Sequence, residues 1–110
     1  MKKLLFICSQ NKLRSPTAEA VFSEYEGLET ESAGLDHSAE VPLSTEAIQW
    51  ADIIFVMEKS HRNKLSKNFQ PLLKDKRVIC LDIPDDYEYM EPALIELLKQ
   101  KVLPLLKIRQ

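Results

Sequence analysis

Cys8 and Arg14 are the two residues of this chain whose types and spacing are best suited to chemistry. The run 3–7 before Cys8 is short and almost wholly apolar, which predicts a buried strand. The run 17–25 carries its apolar residues on one helical stripe, and Ser15-Pro16 supplies an N-cap and a proline for the first helical position. We therefore expect Cys8 and Arg14 to lie in a tight loop between a strand and the N-terminus of a helix.

A loop in this position is suited to binding phosphate. Backbone N–H groups and the positive end of the helix dipole converge there, and both favour an anion. The planar guanidinium of Arg14 can hold two phosphoryl oxygens at once. The same surroundings favour the thiolate of Cys8, which is a nucleophile beside a bound phosphate monoester. The alternative is that Cys8 is a small buried residue ending a strand and Arg14 a surface charge.

The residues between strand and helix form the expected phosphate-binding loop, and none of them is glycine. They are Ser9, Gln10, Asn11, Lys12 and Leu13, with Ser15 directly after Arg14. Phosphate-binding loops usually contain glycine. Asn11 partly compensates, because asparagine enters the left-handed region of backbone conformation more readily than most residues.

The segment from Phe6 to Glu19 resembles the signature of the low-molecular-weight protein tyrosine phosphatase family, which is an apolar strand followed by C-x-G-N-x-C-R-S-P and x-A-E. Further blocks follow in the family's order. Ser32-Ala33-Gly34 resembles the end of the second strand, the run 51–57 resembles the third strand, and Ile83-Pro84-Asp85-Asp86-Tyr87 resembles the acid-bearing Asp-Pro-aromatic loop. The similarity spans most of the chain.

The sequence departs from the family at three places. Gln10 stands where the family has glycine, and Leu13 stands where it has a second cysteine, so the disulfide known within the loop of some members cannot form. The segment between Gly34 and Trp50 is shorter than the family's, and that region helps to wall the substrate pocket. Substrate choice is therefore the property that the resemblance transfers least.

The resemblance implies a cysteine-dependent phosphomonoester hydrolase that works through a cysteinyl-phosphate and needs neither metal nor other cofactor. The default substrate is a phosphotyrosine protein or a small aryl phosphate. Such a reaction also needs a proton donor for the leaving group. By the match to the family, Asp85 takes the place of the acid and Asp86 that of the proline, and Asp82 is the second choice for the acid.

Supporting roles follow from the same resemblance. A side-chain hydrogen bond between Asn11 and Ser32 would brace the loop, and Ser15 would donate to the thiolate and speed its departure. Tyr87 would flank the entrance of the pocket, although a tyrosine after a strand is as often a packing residue. His61 reads as part of a solvated helix start, and His37 lies in a loop without the spacing of a metal site.

Alternation of strand-like and helical runs predicts an α/β fold with a parallel sheet. The family's arrangement is a four-stranded parallel sheet in the order 2-1-3-4 with helices on both faces, and ligands bind such sheets at the carboxyl ends of the strands. The elements expected after the first helix are strands at 28–33, 53–57 and 78–81, a short helix capped by Ser44, a helix at 60–69, and a last helix opened by Pro92 and kinked near Pro104.

Composition limits the remaining possibilities. The 110 residues suit a single domain, 1–110, and the net charge of −2 with a pI near 5.7 gives no electrostatic reason to expect nucleic acid. No apolar run reaches membrane-spanning length, so we expect no membrane partner. Cys8 and Cys80 are the only cysteines, and the reducing cytoplasm is the simpler setting for both.

Two other functions stay open on the sequence. An arsenate reductase would resemble this fold and loop, but it relays electrons through two more cysteines, and only Cys80 is present besides Cys8. A phosphate-binding or regulatory module without turnover would fit the missing glycine and the shortened pocket segment. Phosphate binding without activity would identify the second alternative.

Overall fold

The computed structural model of the chain describes residues 1–107, so the last three residues of the expected domain lie outside it. Four parallel strands form one sheet in the order β2-β1-β3-β4, as expected. The strands are β1 (Lys2–Cys8), β2 (Leu28–Gly34), β3 (Ile53–Val56) and β4 (Arg77–Cys80). The helices are α1 (Arg14–Phe22), α2 (Thr45–Trp50), α3 (Lys59–Leu73) and α4 (Pro92–Val102), followed by a 3₁₀ turn, Leu103–Leu106.

Helices cover both faces of the sheet, because alternate residues of the central strands point to opposite sides. Leu4, Phe6 and Cys8 of β1 face α1 and α4, where the ring of Phe6 stacks between two other phenylalanine rings at centroid distances of 5.6 and 5.1 Å. Leu5 and Ile7 face α2 and α3. Burial on both faces explains why β1 and β3 are nearly continuous apolar runs.

Helix α1 begins one residue before the predicted cap. The carbonyl of Leu13 accepts from the N–H of Thr17 at 3.1 Å, so Leu13 is the N-cap and Ser15 lies inside the first turn. The prediction of Ser15 as N-cap was wrong, because its hydroxyl bonds Cys8 and Asn11 instead of a backbone N–H. Pro16 still lies in the first turn, where a missing N–H removes no intrahelical bond.

Two later helices also differ from their predicted bounds. Helix α3 continues to Leu73 through a break at Phe69, whose φ of −132° is non-helical, two residues before Pro71. Helix α4 starts at Pro92 as expected and passes into the 3₁₀ turn that contains Pro104. Within residues 1–107, no helix is both long and apolar enough to cross a membrane.

Candidate active site

A cavity of about 220 Å³ opens where β1 gives way to α1. Its lining consists of Cys8, Ser9, Gln10, Lys12, Leu13 and Arg14 from the connecting loop, together with Asp85 from the segment after β4. The segment 35–50 contributes nothing to this lining, in agreement with its shortness in the sequence. The sheet therefore brings the expected nucleophile, cation and acid to one place at the carboxyl ends of its strands.

The segment after β2 holds the loop by its backbone. The carbonyls of Cys8, Ser9 and Gln10 accept from the N–H groups of Leu35, Asp36 and Glu40 at 2.9, 3.0 and 3.2 Å, in that order. With these carbonyls turned toward the segment 35–40, the loop can present N–H groups on its other side. The N–H groups of Lys12, Leu13 and Arg14 donate to no backbone carbonyl within residues 1–107.

Asn11 and Gln10 explain how the loop forms without glycine. Asn11 has a φ of 56°, so it takes the left-handed conformation expected for an asparagine at this point. Gln10 is not among the residues with positive φ, and its side-chain amide donates to the carboxylate of Asp36, which also pairs with Lys64 at 3.2 Å. The position occupied by glycine in the family thus needs no glycine here.

Gly34 is required for close packing beneath the loop. A Cβ atom at this position would lie 2.6 Å from the carbonyl oxygen of Ser9 and 2.4 Å from the Cβ of Ala39. We expect Gly34→Ala to lower the free energy of unfolding by about 1–3 kcal/mol through overpacking. The displaced loop should also bind phosphate more weakly. Urea denaturation and phosphate titration measure the two effects.

Gly27→Ala is the matched control for that substitution. Gly27 has a φ of +86° and no atom within 4 Å of an added Cβ, so alanine there is strained by its backbone conformation alone. It should lower stability while phosphate affinity stays at the wild-type value. Wild-type stability and affinity in Gly34→Ala would show that the loop does not depend on this contact.

Cys8 is buried, and two groups of the loop contact its sulfur. The N–H of Asn11 donates to Cys8 Sγ at 3.2 Å, and Ser15 Oγ lies 2.9 Å from the same sulfur. Ser15 Oγ also lies 3.0 Å from the amide oxygen of Asn11, to which it can donate. One hydroxyl hydrogen therefore serves two acceptors. It can turn from Asn11 to the sulfur when Cys8 becomes a thiolate.

These contacts bear on the expected roles of Asn11 and Ser15. Both were predicted to bind phosphate, but both are buried, neither lines the cavity, and both bond the sulfur of Cys8. The contact between Ser15 and that sulfur is the one that the family resemblance implied. The predicted hydrogen bond between Asn11 and Ser32 is not formed within residues 1–107, where the amide oxygen of Asn11 accepts from Ser15. Ser32 donates to the carboxylate of Glu19 on α1 instead.

Arg14 is 4% exposed, so it is not a surface charge. Its Nη1 donates to Glu58 Oε2 at 2.6 Å and to the carbonyl of Ile83 at 2.7 Å. Two bonds use both hydrogens of Nη1, which leaves the edge formed by Nε and Nη2 as a pair of parallel donors. Asp85 Oδ1 lies 3.7 Å from Nε. Arg14 is thus held from behind with the edge that suits a phosphate available.

Of the three aspartates after β4, only Asp85 lines the cavity with Cys8 and Arg14. Its side chain is 64% exposed. Asp82 lies on a separate surface cleft beside Glu58 and accepts from the thiol of Cys80 at 3.4 Å. Asp86 is exposed and does not line the cavity.

Tyr87 does not wall the cavity. Its half-buried ring packs against the core between the sheet and helices α1 and α4, where the apolar ring loses contact with water. The expectation of an aromatic wall from Tyr87 was therefore wrong, and the rim of the cavity is formed by loop side chains such as exposed Lys12.

The sequence reasoning missed Glu58 and His61, which join α3 to the loop. Glu58 is the N-cap of α3 and bonds Arg14, while His61 is 3% exposed and lies 3.0 Å from Ser9 Oγ through its Nε2. The expectation of a solvated histidine was wrong, because α3 packs this turn against the loop. The signal was available: an acid and a histidine three residues apart open a helix directly after a buried strand.

A thiol, a guanidinium and a carboxylate around a loop that ends at a helix N-terminus are the groups that cysteine-dependent hydrolysis of a phosphate ester needs. The family model described as low molecular weight phosphotyrosine protein phosphatase matches residues 3–46. The resemblance seen in the sequence is thereby confirmed over residues 3–46, and this match supports a cysteine-based phosphatase. No curated protein matches the chain.

Solved structures of tyrosine and arginine phosphatases share the fold over nearly the whole chain. The low molecular weight protein tyrosine phosphatase from T. tengcongensis has 20% identity and a TM-score of 0.78, with 97% of this chain and 99% of that chain covered. The tyrosine phosphatase Wzb from Escherichia coli K30 has 20% identity, a TM-score of 0.76 and 96% coverage of both chains. The YwlE arginine phosphatase from Geobacillus stearothermophilus has 21% identity and a TM-score of 0.68, with 100% and 99% covered.

Proposed function

We propose that this chain hydrolyses phosphotyrosine through a cysteinyl-phosphate on Cys8. The observation that carries the proposal is the meeting of Cys8, Arg14 and Asp85, from two segments far apart in sequence, around one cavity at a helix N-terminus. We place the activity in the reducing cytoplasm, which keeps both cysteines as thiols.

In the first step, the loop N–H groups and the free edge of Arg14 hold the three equatorial oxygens of the phosphate. The thiolate of Cys8 attacks phosphorus in line with the ester oxygen, so the S–P bond forms as the P–O bond to the substrate breaks. Asp85, as the carboxylic acid, gives its proton to the departing oxygen. The products are the free tyrosine hydroxyl and a cysteinyl-phosphate.

In the second step, Asp85 as carboxylate takes a proton from a water molecule whose oxygen attacks phosphorus. The S–P bond breaks, inorganic phosphate forms, and Cys8 leaves as a thiolate. The N–H of Asn11 and the hydroxyl of Ser15 stabilise the sulfur at that moment, because both lie within hydrogen-bond distance of it. Their burial beneath the cavity suits a role on the leaving sulfur.

Phosphotyrosine is favoured over phosphoarginine by the charge at the rim of the cavity. Lys12 is exposed there, and its ammonium group repels the guanidinium of phosphoarginine but not a phenyl ring. The aliphatic stem of Lys12 and the side chain of Leu13 offer apolar surface to such a ring. A flat aromatic ester therefore fits this rim better than a cationic one.

The test is turnover by the purified protein under reducing conditions with a metal chelator. The substrates are p-nitrophenyl phosphate, a phosphotyrosine peptide and the same peptide carrying phosphoarginine. We expect hydrolysis of the first two, with the phosphotyrosine peptide preferred to the phosphoarginine peptide. The reverse preference would overturn the substrate class. Phosphate binding without any turnover would identify a binding module instead.

A further inference from the structure

We propose that the hydroxyl of Ser9 donates a hydrogen bond to the bound phosphate and that His61 is the positioning residue that aims it. This inference rests on the proposed phosphate site and adds two side chains to it. Ser9 follows Cys8 directly and lines the cavity, and His61 reaches its hydroxyl from α3.

The hydrogen bonds of His61 define its tautomer. The N–H of Glu58 donates to His61 Nδ1 at 3.1 Å, so Nδ1 is an acceptor and carries no hydrogen. In the neutral ring the hydrogen is then on Nε2, which lies 3.0 Å from Ser9 Oγ and must donate to it. His61 is therefore a donor toward the loop and an acceptor toward its own helix start.

A hydroxyl group that accepts from one side gives its own hydrogen to another partner. Within residues 1–107, Ser9 Oγ has no hydrogen-bond partner other than His61. With its lone pair engaged by Nε2–H, the hydroxyl hydrogen of Ser9 is directed away from α3. Because Ser9 lines the cavity, that hydrogen can reach a phosphate oxygen held by the loop.

The surroundings of His61 favour the neutral ring that this arrangement needs. Burial and, after it, the nearby guanidinium of Arg14 lower the pKa of His61 below its ordinary value, against the opposing charges of Glu58, Asp36 and Asp85. A protonated ring would turn an N–H at Nδ1 toward the N–H of Glu58. The bond at the helix start therefore requires the same neutral form.

Phosphate affinity measures the proposed bond independently of turnover. We would titrate inorganic phosphate by calorimetry into the wild type, Ser9→Ala, His61→Asn and His61→Gln. The amide of asparagine reaches the place of Nδ1 but not that of Nε2, whereas glutamine reaches the place of Nε2. Ser66→Ala, on an exposed position of α3, is the control for the serine change.

We expect Ser9→Ala and His61→Asn each to weaken phosphate binding about 10-fold, the scale of one hydrogen bond to an anion. The double variant should be no weaker than either single one, because both changes remove the same bond. His61→Gln should bind phosphate nearly as the wild type does, even where loss of the bond at Nδ1 lowers its stability. Ser66→Ala should be unchanged.

Unchanged phosphate affinity in Ser9→Ala or His61→Asn would overturn the inference. So would phosphate binding by His61→Gln that is as weak as binding by His61→Asn. Should His61→Asn fail to fold, Ser9→Ala and His61→Gln still decide. The ¹⁵N spectrum of the histidine ring gives an independent readout, because it separates the two tautomers. Hydrogen on Nε2 is expected, and hydrogen on Nδ1 would contradict the proposal. If the variants bind phosphate as expected but the wild type shows no turnover, the proposed phosphatase function is wrong and the inference about Ser9 and His61 still holds.

Discussion

Cys8→Ser is expected to lower turnover by at least about 10³-fold while phosphate still binds. Serine fills nearly the same volume, so the N–H of Asn11 and the edge of Arg14 stay in place for the anion. Its hydroxyl is a far weaker nucleophile than a thiolate at neutral pH. Steady-state hydrolysis of p-nitrophenyl phosphate and calorimetric titration of inorganic phosphate separate the loss of chemistry from the retained binding.

Cys80→Ser is the matched control, because it makes the same atomic change at the other cysteine. Cys80 is half-buried at the end of β4 and contacts Asp82, outside the lining of the cavity. Its turnover should equal that of the wild type. Turnover by Cys8→Ser close to that of the wild type would contradict the assignment of Cys8 as nucleophile. A loss of turnover in Cys80→Ser as large as that in Cys8→Ser would contradict it as well.

Asp85→Asn is expected to lower turnover by about 10²- to 10⁴-fold, the usual contribution of a positioned general acid. Asparagine keeps the size of the side chain beside Arg14 and cannot give up a proton. The loss should grow as the leaving group becomes more basic, so it should be larger for phenyl phosphate than for p-nitrophenyl phosphate. The ratio of kcat/KM for the two substrates, in wild type and variant, measures this dependence, because kcat/KM includes only the steps up to departure of the leaving group.

Asp82→Asn and Asp86→Asn test the neighbouring carboxylates in the same way. Asp82 lies on another cleft and Asp86 does not line the cavity, so both variants should keep turnover within a few-fold of wild type. A loss in Asp82→Asn that depends on the leaving group, with Asp85→Asn unaffected, would move the acid to Asp82. Equal losses of kcat/KM for both leaving groups in Asp85→Asn would exclude proton transfer from Asp85 to the leaving group.

The framework of this protein could be predicted because it depends on local patterns. Continuous apolar runs mark β1 and β3 as strands buried on both faces, and Pro92 marks the start of α4. The sheet order came from the resemblance to the family rather than from any strand by itself. Asn11 could be predicted in the left-handed region because few other residues accept it without strain.

The partners of the site could not be predicted, because they depend on which side chains meet across the sheet. Ser15 has the residue type of an N-cap, but a sulfur and an amide oxygen nearby take its hydroxyl. Ser32 bonds Glu19 of α1 in place of Asn11, a pairing that depends on how α1 packs beside β2. His61 looks solvated in sequence and is buried only because α3 packs on the loop.

The loop of this chain is held by side chains from α3 in addition to the backbone of the segment after β2. Glu58 holds Arg14, His61 holds Ser9, and Lys64 holds Asp36, which in turn holds Gln10. Glu58, the N-cap of α3, and His61 and Lys64 within the helix are spaced three apart, so they project from neighbouring positions of one helix face. This support accompanies a loop without glycine and a short segment between β2 and α2.

The most direct measurement of the covalent mechanism is mass spectrometry of the protein quenched in acid during turnover of p-nitrophenyl phosphate. We expect one phosphoryl group on the peptide that contains Cys8, appearing within the first turnover and absent in Cys8→Ser. Asp85→Asn should give the same adduct, formed and lost more slowly. Rapid turnover with no adduct on that peptide, or with an adduct on another residue, would contradict catalysis through Cys8.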